Sequence, residues 1–330
     1  MSFEVPAHLQ TDLHAQYGKD KIRVLRVVRE GDWHQVVEYN VTVLVEGDID
    51  ASYTKADNSV VVATDSMKNI TYYLAKVSPH VLVPEYFALH LGTHLVSRYL
   101  HIHKAFVTIE QLRWSRIPVV NAQGLDGAVE GHKHSFLRDG DDKRVIKAEV
   151  DASAGKDKLV GRVSAGITDL LVLKSTGSSF TSFIRDEYTT LAEVDDRIFS
   201  TAVDLQYTFT PVDITTPADD KKLNFTLGES AKGSLWDATG VAQRARDITL
   251  KVFAEDDSAS VQATLYKMAQ MVLAQNDGVQ VVTYALPNKH YIPVDMRYIG
   301  VENVTPPSKA EVFMPIAAPS GLISAIVSRK

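Results

Sequence analysis

The 330-residue chain contains no cysteine, no long apolar run and no strong excess of one charge. The absence of cysteine excludes disulfides, Cys-ligated zinc, iron–sulfur clusters and thiol nucleophiles. The longest apolar stretches, such as residues 170–173, are far shorter than the roughly 20 residues that span a bilayer, so no membrane segment is expected. With 35 Lys and Arg against 41 Asp and Glu, the net charge of −6 gives no overall electrostatic footprint for nucleic acid.

Targeting signals are also scarce. Residues 1–16 have neither a basic start nor an apolar run, so they do not resemble a secretory signal and are expected to form a flexible leader. The chain ends in Ser328-Arg329-Lys330, which shares only its serine with a peroxisomal Ser-Lys-Leu address. A cytoplasmic location is therefore expected, with a peroxisomal one as the alternative.

Alternation of apolar and polar residues predicts long strands with one buried face. In residues 37–45, an apolar side chain stands at every second position, which is the period of a strand in an antiparallel sheet. Shorter patterns of the same kind predict further strands along the chain. The predicted strands are residues 22–28, 37–45, 105–114, 134–137, 170–174, 204–209, 279–285, 291–296 and 321–327.

Two pairs of helices are predicted between these strands. The first pair begins near Thr64, a candidate N-cap, and after Pro84. The second pair covers residues 237–253 and 258–273, with Ser258 as a candidate cap. The order strand–strand–helix–helix–strand–strand thus occurs twice. It predicts an α+β fold of two units, each with its helices on one face of an antiparallel sheet.

Generic motifs for cofactors and metals are absent or incomplete. No G-x-G-x-x-G opens a helix, and residues 228–234 place the lysine of a phosphate loop before its second glycine, so a polar turn is favoured. The H-x-H pairs His101/His103 and His132/His134 could each present two imidazoles from a strand, but their spacing provides no third ligand. Neither a metal nor an organic cofactor is expected.

One stretch carries a specific resemblance to a known family. Residues 173–180 read Leu-Lys-Ser-Thr-Gly-Ser-Ser-Phe, and Phe183, Tyr188, Leu191 and Arg197 follow. This stretch resembles the signature of the urate oxidase (uricase) family. Further blocks resemble the same family in the same order, so that the resemblance runs from Tyr17 to the end of the chain. They are residues 17–20, 52–59, 62–66, 253–256, 258–264 and 286–291.

The resemblance implies a fold, an assembly and a reaction. The implied fold is the tunnelling fold (T-fold), with a first domain at residues 17–147 and a second at 148–330, assembled as a homotetrameric barrel. The implied reaction is the cofactor-independent oxidation of uric acid by O2 and water to 5-hydroxyisourate and H2O2, at sites between subunits. Two alternatives stay open: another T-fold enzyme acting on a pterin or purine, and a non-catalytic purine-binding tetramer.

The resemblance also implies substrate-binding residues whose chemistry suits a flat, anionic purine. Arg197 offers a planar fork of donors for one edge, Gln262 offers a donor and an acceptor for the other, and Phe180 can stack on the face. The structural alternative is that Arg197 pairs with Asp195 or Asp196 and that Phe180 is core. The change at Thr181, where many relatives carry a bulky aromatic residue, implies a looser wall behind Phe180. The other implied substrate-binding residues are Thr64, Asp65, Leu191, Val261 and Asn288.

Three residues correspond to the catalytic proton relay of the family. Lys19 would act as the base, Thr64 would pass the proton because its hydroxyl both donates and accepts, and His290 would titrate near neutrality. Asn288 would hold dioxygen or the attacking water. The alternatives are a solvated lysine at position 19 and a simple helix cap at position 64. The resemblance further implies that Lys19, Thr64 and Asp65 of one chain face the remaining site residues of another.

Overall fold

The computed structural model describes residues 11–120, 129–230, 235–316 and 318–330. Long strands dominate the described residues, and two pairs of long helices separate them, as predicted. The elements are β1 Tyr17–Glu30, β2 Trp33–Gly47, α1 Asp50–Thr54, α2 Thr64–Val77, α3 Pro84–Arg98, β3 Ile102–Val120, β4 Val129–Asp151, β5 Leu159–Lys174, β6 Phe199–Phe209, β7 Val212–Thr215, β8 Thr226–Ser230, α4 Ala238–Glu255, α5 Val261–Gln275, β9 Val279–Pro293, β10 Phe313–Ile316 and β11 Leu322–Ser328.

The strands form one antiparallel sheet in the order β1-β2-β3-β4-β5-β6-β9-β10. Strand β11 pairs with the first part of β9, β10 pairs with its last part, and β7 and β8 extend from β5. Strand β1 therefore lies at one edge of the sheet, and β10 and β11 lie at the other. Neither edge has a further partner strand among the described residues of this chain.

The helices cover one face of this sheet. Val41, Val43 and Val45 of β2 are completely buried, whereas the residues between them are only partly buried. On α3, Phe87 and Leu91 are completely buried in the same apolar cluster. The alternation of buried and partly exposed residues confirms the predicted α+β arrangement, because only the face toward the helices is fully removed from water.

Both predicted helix caps are wrong. Thr64 is the first residue of α2, and the N-cap is Ala63, which makes no side-chain cap hydrogen bond. At α5 the cap is Ser260, whose hydroxyl accepts a hydrogen bond of 3.1 Å from the Ala263 N–H. Ser258 is buried and belongs to the loop before the helix. At α5 the predicted cap is the wrong member of a cluster of small polar residues, whereas at α2 the cap position holds an apolar residue.

Two further expectations concern strand boundaries. The predicted strands 279–285 and 291–296 are one strand, β9, which continues through Pro287. Strand β4 runs without a break across the predicted domain boundary at residues 147 and 148, and the chain reverses between Asp151 and Leu159. The division into domains stays a prediction.

Residues 1–10 of the predicted leader and residues 231–234 of the predicted polar turn lie outside the described residues.

No helix in the described parts of the chain is long and apolar enough to cross a membrane.

Helix α3 buries two histidines. His90 is 1% exposed, its Nδ1 lies 2.8 Å from the Ser78 hydroxyl, and its ring stacks on Phe225 at 5.0 Å. Nδ1 of His94 lies 3.1 Å from the Lys222 carbonyl. Burial lowers the pKa of His90 to about 4, because the imidazolium would lose its hydration there. His90 is therefore neutral in the folded protein at neutral pH.

We predict that His90 makes the folded state sensitive to acid. The folded-state pKa lies below the ordinary value near 6.5, so the unfolded chain binds the proton more readily as the pH falls through this range. The shift corresponds to about 3 kcal/mol of stability lost by pH 4. In urea denaturation from pH 7 to pH 4, the free energy of unfolding should fall less in His90→Asn than in the wild type. The exposed control His14→Asn should keep the pH dependence of the wild type. A free energy of unfolding that falls as steeply in His90→Asn as in the wild type would contradict the prediction.

Candidate active site

A cavity of about 710 Å³ lies between the segment before β6 and the end of β9. Leu191 and Arg197 line it from one side, and Asn288 and His290 line it from the other. The structure thus brings together two pairs of residues that are far apart in the sequence. The cavity is the natural place for a small, flat ligand, since it combines an apolar wall with a few convergent polar groups.

Arg197 is half-buried, and burial alone lowers the pKa of its guanidinium. The guanidinium carbon lies 5.2 Å from the centre of the Phe180 ring, which in turn stacks on Phe183 at 4.8 Å. Asp196, the alternative partner considered above, instead accepts hydrogen bonds from the Thr176 hydroxyl and a backbone N–H. Arg197 therefore presents a partly desolvated positive charge beside an aromatic face, which suits an anionic ring.

Val261 and Gln262 form the first turn of α5, where Val261 is buried and Gln262 is exposed. The loop before this helix pairs with the segment before Phe180. The Ser179 N–H donates to the Ser258 carbonyl at 2.9 Å. This backbone pairing brings the start of α5 beside the segment that carries Phe180.

Asn288 and His290 project from β9, and both are half-buried. Asn288 is opposite Thr201 of β6, and its backbone N–H donates to the Gly321 carbonyl at 2.7 Å. His290 is opposite Ile316 of β10. Strands on both sides of β9 therefore fix the positions of these two side chains at the cavity wall.

Lys19 and Thr64 lie at the other edge of the sheet. The Tyr17 hydroxyl accepts a hydrogen bond of 2.7 Å from the Val62 N–H, which ties the start of β1 to the segment that leads into α2. The pairing of β1 with β2 shifts its register just after Lys19. A bulge of this kind is a common way to aim a side chain at a functional site.

Asp65 follows Thr64 at the start of α2, and its carboxylate is exposed. A hydrogen bond of 2.5 Å from Lys68 is the main reason why the pKa of Asp65 lies below its usual value. Lys19 makes a smaller electrostatic contribution to the same shift. The positive charge of Lys19 therefore acts on the start of α2, where Asp65 lies.

The predicted site residues form two groups within one chain. The first group is Lys19, Thr64 and Asp65, near β1. In the second group, Leu191, Arg197, Asn288 and His290 line the cavity. The other members, Phe180, Val261 and Gln262, do not line it and lie on neighbouring segments. Among the described residues, no member of the first group lines the cavity.

One wall of the cavity is formed by residues that no sequence pattern predicts. Glu311 and Phe313 line it, and a single buried side chain, Asn303, holds their segment in place. The Asn303 amide donates to the carbonyls of Val294 and Val312, at 2.9 and 2.7 Å, and accepts from the Glu311 N–H at 2.9 Å. No local sequence pattern marks this residue, because its partners lie in segments that only the fold brings together.

The H-x-H pairs have partners within the protein. Nε2 of His101 lies 2.9 Å from the Val60 carbonyl, and Nε2 of His103 lies 3.0 Å from the Asp48 carboxylate. The rings of the second pair meet edge to face at 4.6 Å. Across the described ranges, no three His, Asp or Glu side chains are placed to hold one metal ion.

The chain is similar to known proteins over nearly its whole length. The uricase family model matches residues 15–149 and 163–324. The uricase of Emericella nidulans is 43% identical over 325 residues, 98% of this chain and 98% of that protein. The uricase of Aspergillus flavus is 44% identical over 320 residues, 96% of each.

The structural comparison agrees. The crystal structure of uricase from Arthrobacter globiformis has a TM-score of 0.78 at 32% identity, covering 98% of this chain and 96% of that one. Uricase from Bacillus fastidious, at 23% identity and a TM-score of 0.74, has the same fold. The predicted tunnelling fold is confirmed, and the chain belongs to the uricase family.

Proposed function

We propose that the protein oxidises urate with O2 and water to 5-hydroxyisourate and H2O2, without a metal or organic cofactor. The observation that carries this proposal is the cavity in which the half-buried cation of Arg197 meets Asn288 and His290. Family membership supplies the substrate. The geometry supplies a place for a flat anion with polar groups on both of its sides.

Urate would be held by its edges and by one face. Arg197 would donate two parallel hydrogen bonds to one edge, and Gln262 would pair with the other. Phe180, already close to the Arg197 guanidinium, would stack on the ring. The N-terminus of α5 adds a partial positive charge on the side of Gln262, which favours an anion. Leu191 and Val261 would form apolar walls.

Protons would move through Lys19, Thr64 and His290. Lys19 would take a proton from the substrate side, and the Thr64 hydroxyl would pass it on by donating and accepting in turn. His290 lines the cavity and would complete the path toward the position of dioxygen or water, held by Asn288. Asp65 would orient the substrate through its backbone N–H.

We further propose that each site forms between two chains of a homotetramer. Four residues of the second group line the cavity and no described residue of the first group does, so the first group would come from a neighbouring chain. Strands β1 and β11 both end the sheet, so each has an unpaired edge that another chain can use. Apolar side chains near the site are exposed in the single chain: Ile184 is 91% and Tyr188 is 82% exposed.

The alternatives to urate oxidation are a pterin or purine enzyme of the same fold and a purine-binding tetramer without activity. No observation on the described residues favours either of them over urate oxidation. The cytoplasmic location expected from the sequence also stays a prediction.

We predict that the purified protein consumes urate and O2 and produces peroxide, and that prolonged chelation leaves the rate unchanged. The loss of urate absorbance, the uptake of oxygen and the formation of peroxide should agree in stoichiometry. Binding of urate without oxygen uptake would indicate a non-catalytic protein. Activity that is lost on chelation and restored by one metal would contradict the cofactor-free reaction.

We predict that two inactive variants restore activity to each other. Lys19→Met and Arg197→Ala each damage a different half of the site, so a mixed assembly should contain some intact sites. After reversible dissociation and mixing in equal amounts, about a quarter of the sites should be intact if the chains pair at random. Each variant treated alone is the control. Proven mixed tetramers without any recovery would show that both halves come from one chain.

We predict that Lys19 and His290 act as one unit. A relay fails when any link is cut, so the double variant Lys19→Met/His290→Ala should turn over about as slowly as the worse single variant. Binding of non-reactive xanthine should change much less than turnover, because Arg197 and Gln262 remain. The exposed neighbour Lys21→Met is the matched control. Losses that multiply in the double variant would mean that the two residues serve separate steps.

A further inference from the structure

Residues 176–179, called here the central segment, lie between the two chain segments that carry Arg197 and Gln262. On the Arg197 side, the Asp196 carboxylate accepts hydrogen bonds from the Thr176 hydroxyl at 2.6 Å and from the Gly177 N–H at 2.8 Å. The Arg197 N–H donates to the Ser178 carbonyl at 2.8 Å. One carboxylate and one backbone bond therefore fix Arg197 against the central segment.

On the other side, the central segment pairs with Ser258. The Ser258 N–H donates to the Gly177 carbonyl at 3.0 Å, and the Ser179 N–H donates to the Ser258 carbonyl at 2.9 Å. Ser258 is 1% exposed and precedes Ser260, the N-cap of the helix whose first turn carries Gln262. The central segment therefore acts as a spacer between the two side chains proposed to hold the substrate edges.

A half-buried charge, that of Lys174, lies just before this spacer in the sequence. Lys174 is half-buried, and its ammonium group donates to the Asp256 carbonyl at 2.5 Å. Burial lowers the pKa of this ammonium group, and the nearby carboxylates of Asp256, Asp257 and Asp196 oppose that shift. The Asp256 carboxylate is itself held by Lys267 at 2.6 Å. Carboxylates from both sides of the central segment therefore lie near the Lys174 ammonium group.

Gly177 makes the close approach possible. Its φ of +76° lies in the left-handed region, where a residue with a Cβ is strained. Because its N–H faces Asp196 and its carbonyl accepts from Ser258, the same residue bonds to both flanking segments. A shift on one flank is therefore transmitted to the other through a single peptide turn.

We propose that Asp196 is a positioning residue for purine binding, which sets the separation of Arg197 and Gln262 through Thr176 and Gly177. The inference rests on the proposed function. Asp196 lines the cavity beside Arg197, but both oxygens of its carboxylate accept hydrogen bonds from the central segment, so it acts by holding the backbone that carries the two edge-binding side chains. Removing its carboxylate frees the Arg197 segment from the central segment on one side.

The first test compares Asp196→Ala with Asp195→Ala, a neighbouring exposed aspartate that gives the same change in charge. Calorimetric affinity for xanthine should fall about tenfold in Asp196→Ala, because the variant loses both carboxylate hydrogen bonds that hold Arg197 against the central segment. The control should stay within about twofold of the wild type. With urate, KM should rise by a similar factor while kcat changes less, because edge contacts hold substrate and transition state alike.

The second test avoids a variant that fails to fold. Thr176 is exposed, so Thr176→Val removes one hydrogen bond to Asp196 at little cost to the core, and Thr176→Ser keeps the hydroxyl. Xanthine affinity should fall several-fold in the valine variant and return in the serine variant, at equal thermal midpoints. Unchanged affinity in Asp196→Ala and Thr176→Val, or a loss that serine does not restore, would overturn the inference.

The two proposals fail in different ways. Wild-type protein that binds xanthine but does not oxidise urate would overturn the proposed function, while the affinities of the variants would still decide the role of Asp196. An active wild type with an equally tight Asp196→Ala variant would overturn the positioning role alone.

Discussion

The coverage of the antiparallel sheet by helices on one face only is the constraint on which the rest of the structure depends. It buries alternate residues of each long strand and leaves the opposite face partly exposed. The sheet does not close on itself, so β1 and β11 are open edges. An open edge presents unpaired backbone N–H and carbonyl groups, which can pair with another chain. The predicted site residues are separated in the same way, because one group lies near the β1 edge and the other lies near β9.

The site depends on backbone pairing more than on direct contacts between its side chains. Arg197, Asn288 and the start of α5 each sit on a segment whose N–H and carbonyl groups bond to a neighbouring segment. Such bonds fix the backbone positions from which these side chains project. The direct contact of Arg197 with Phe180 adds a weaker, less directional attraction.

Much of the fold and of the site could be predicted from the sequence, for different reasons. Strand β2 was predictable because burial on one face writes a period of two into residues 37–45. The site residues came from a family signature, and nothing in their local chemistry distinguished Arg197 from an ordinary surface arginine. The predicted cap at Ser258 is wrong because several small polar residues precede α5. The predicted cap at Thr64 is wrong because the cap position of α2 holds Ala63, which has no side-chain acceptor. Asn303 could not be found, since its hydrogen bonds join segments that are brought together only by folding.

The size of the cavity has a consequence for selectivity. At about 710 Å³ it lies in the range of pockets for drug-sized ligands, which is more room than a two-ring purine fills. A lone chain would therefore discriminate poorly among flat anions of different outline. If a neighbouring chain closes the space, then ligand choice becomes a property of the assembly, and substitutions on a surface far from Arg197 in the sequence can alter which purine fits.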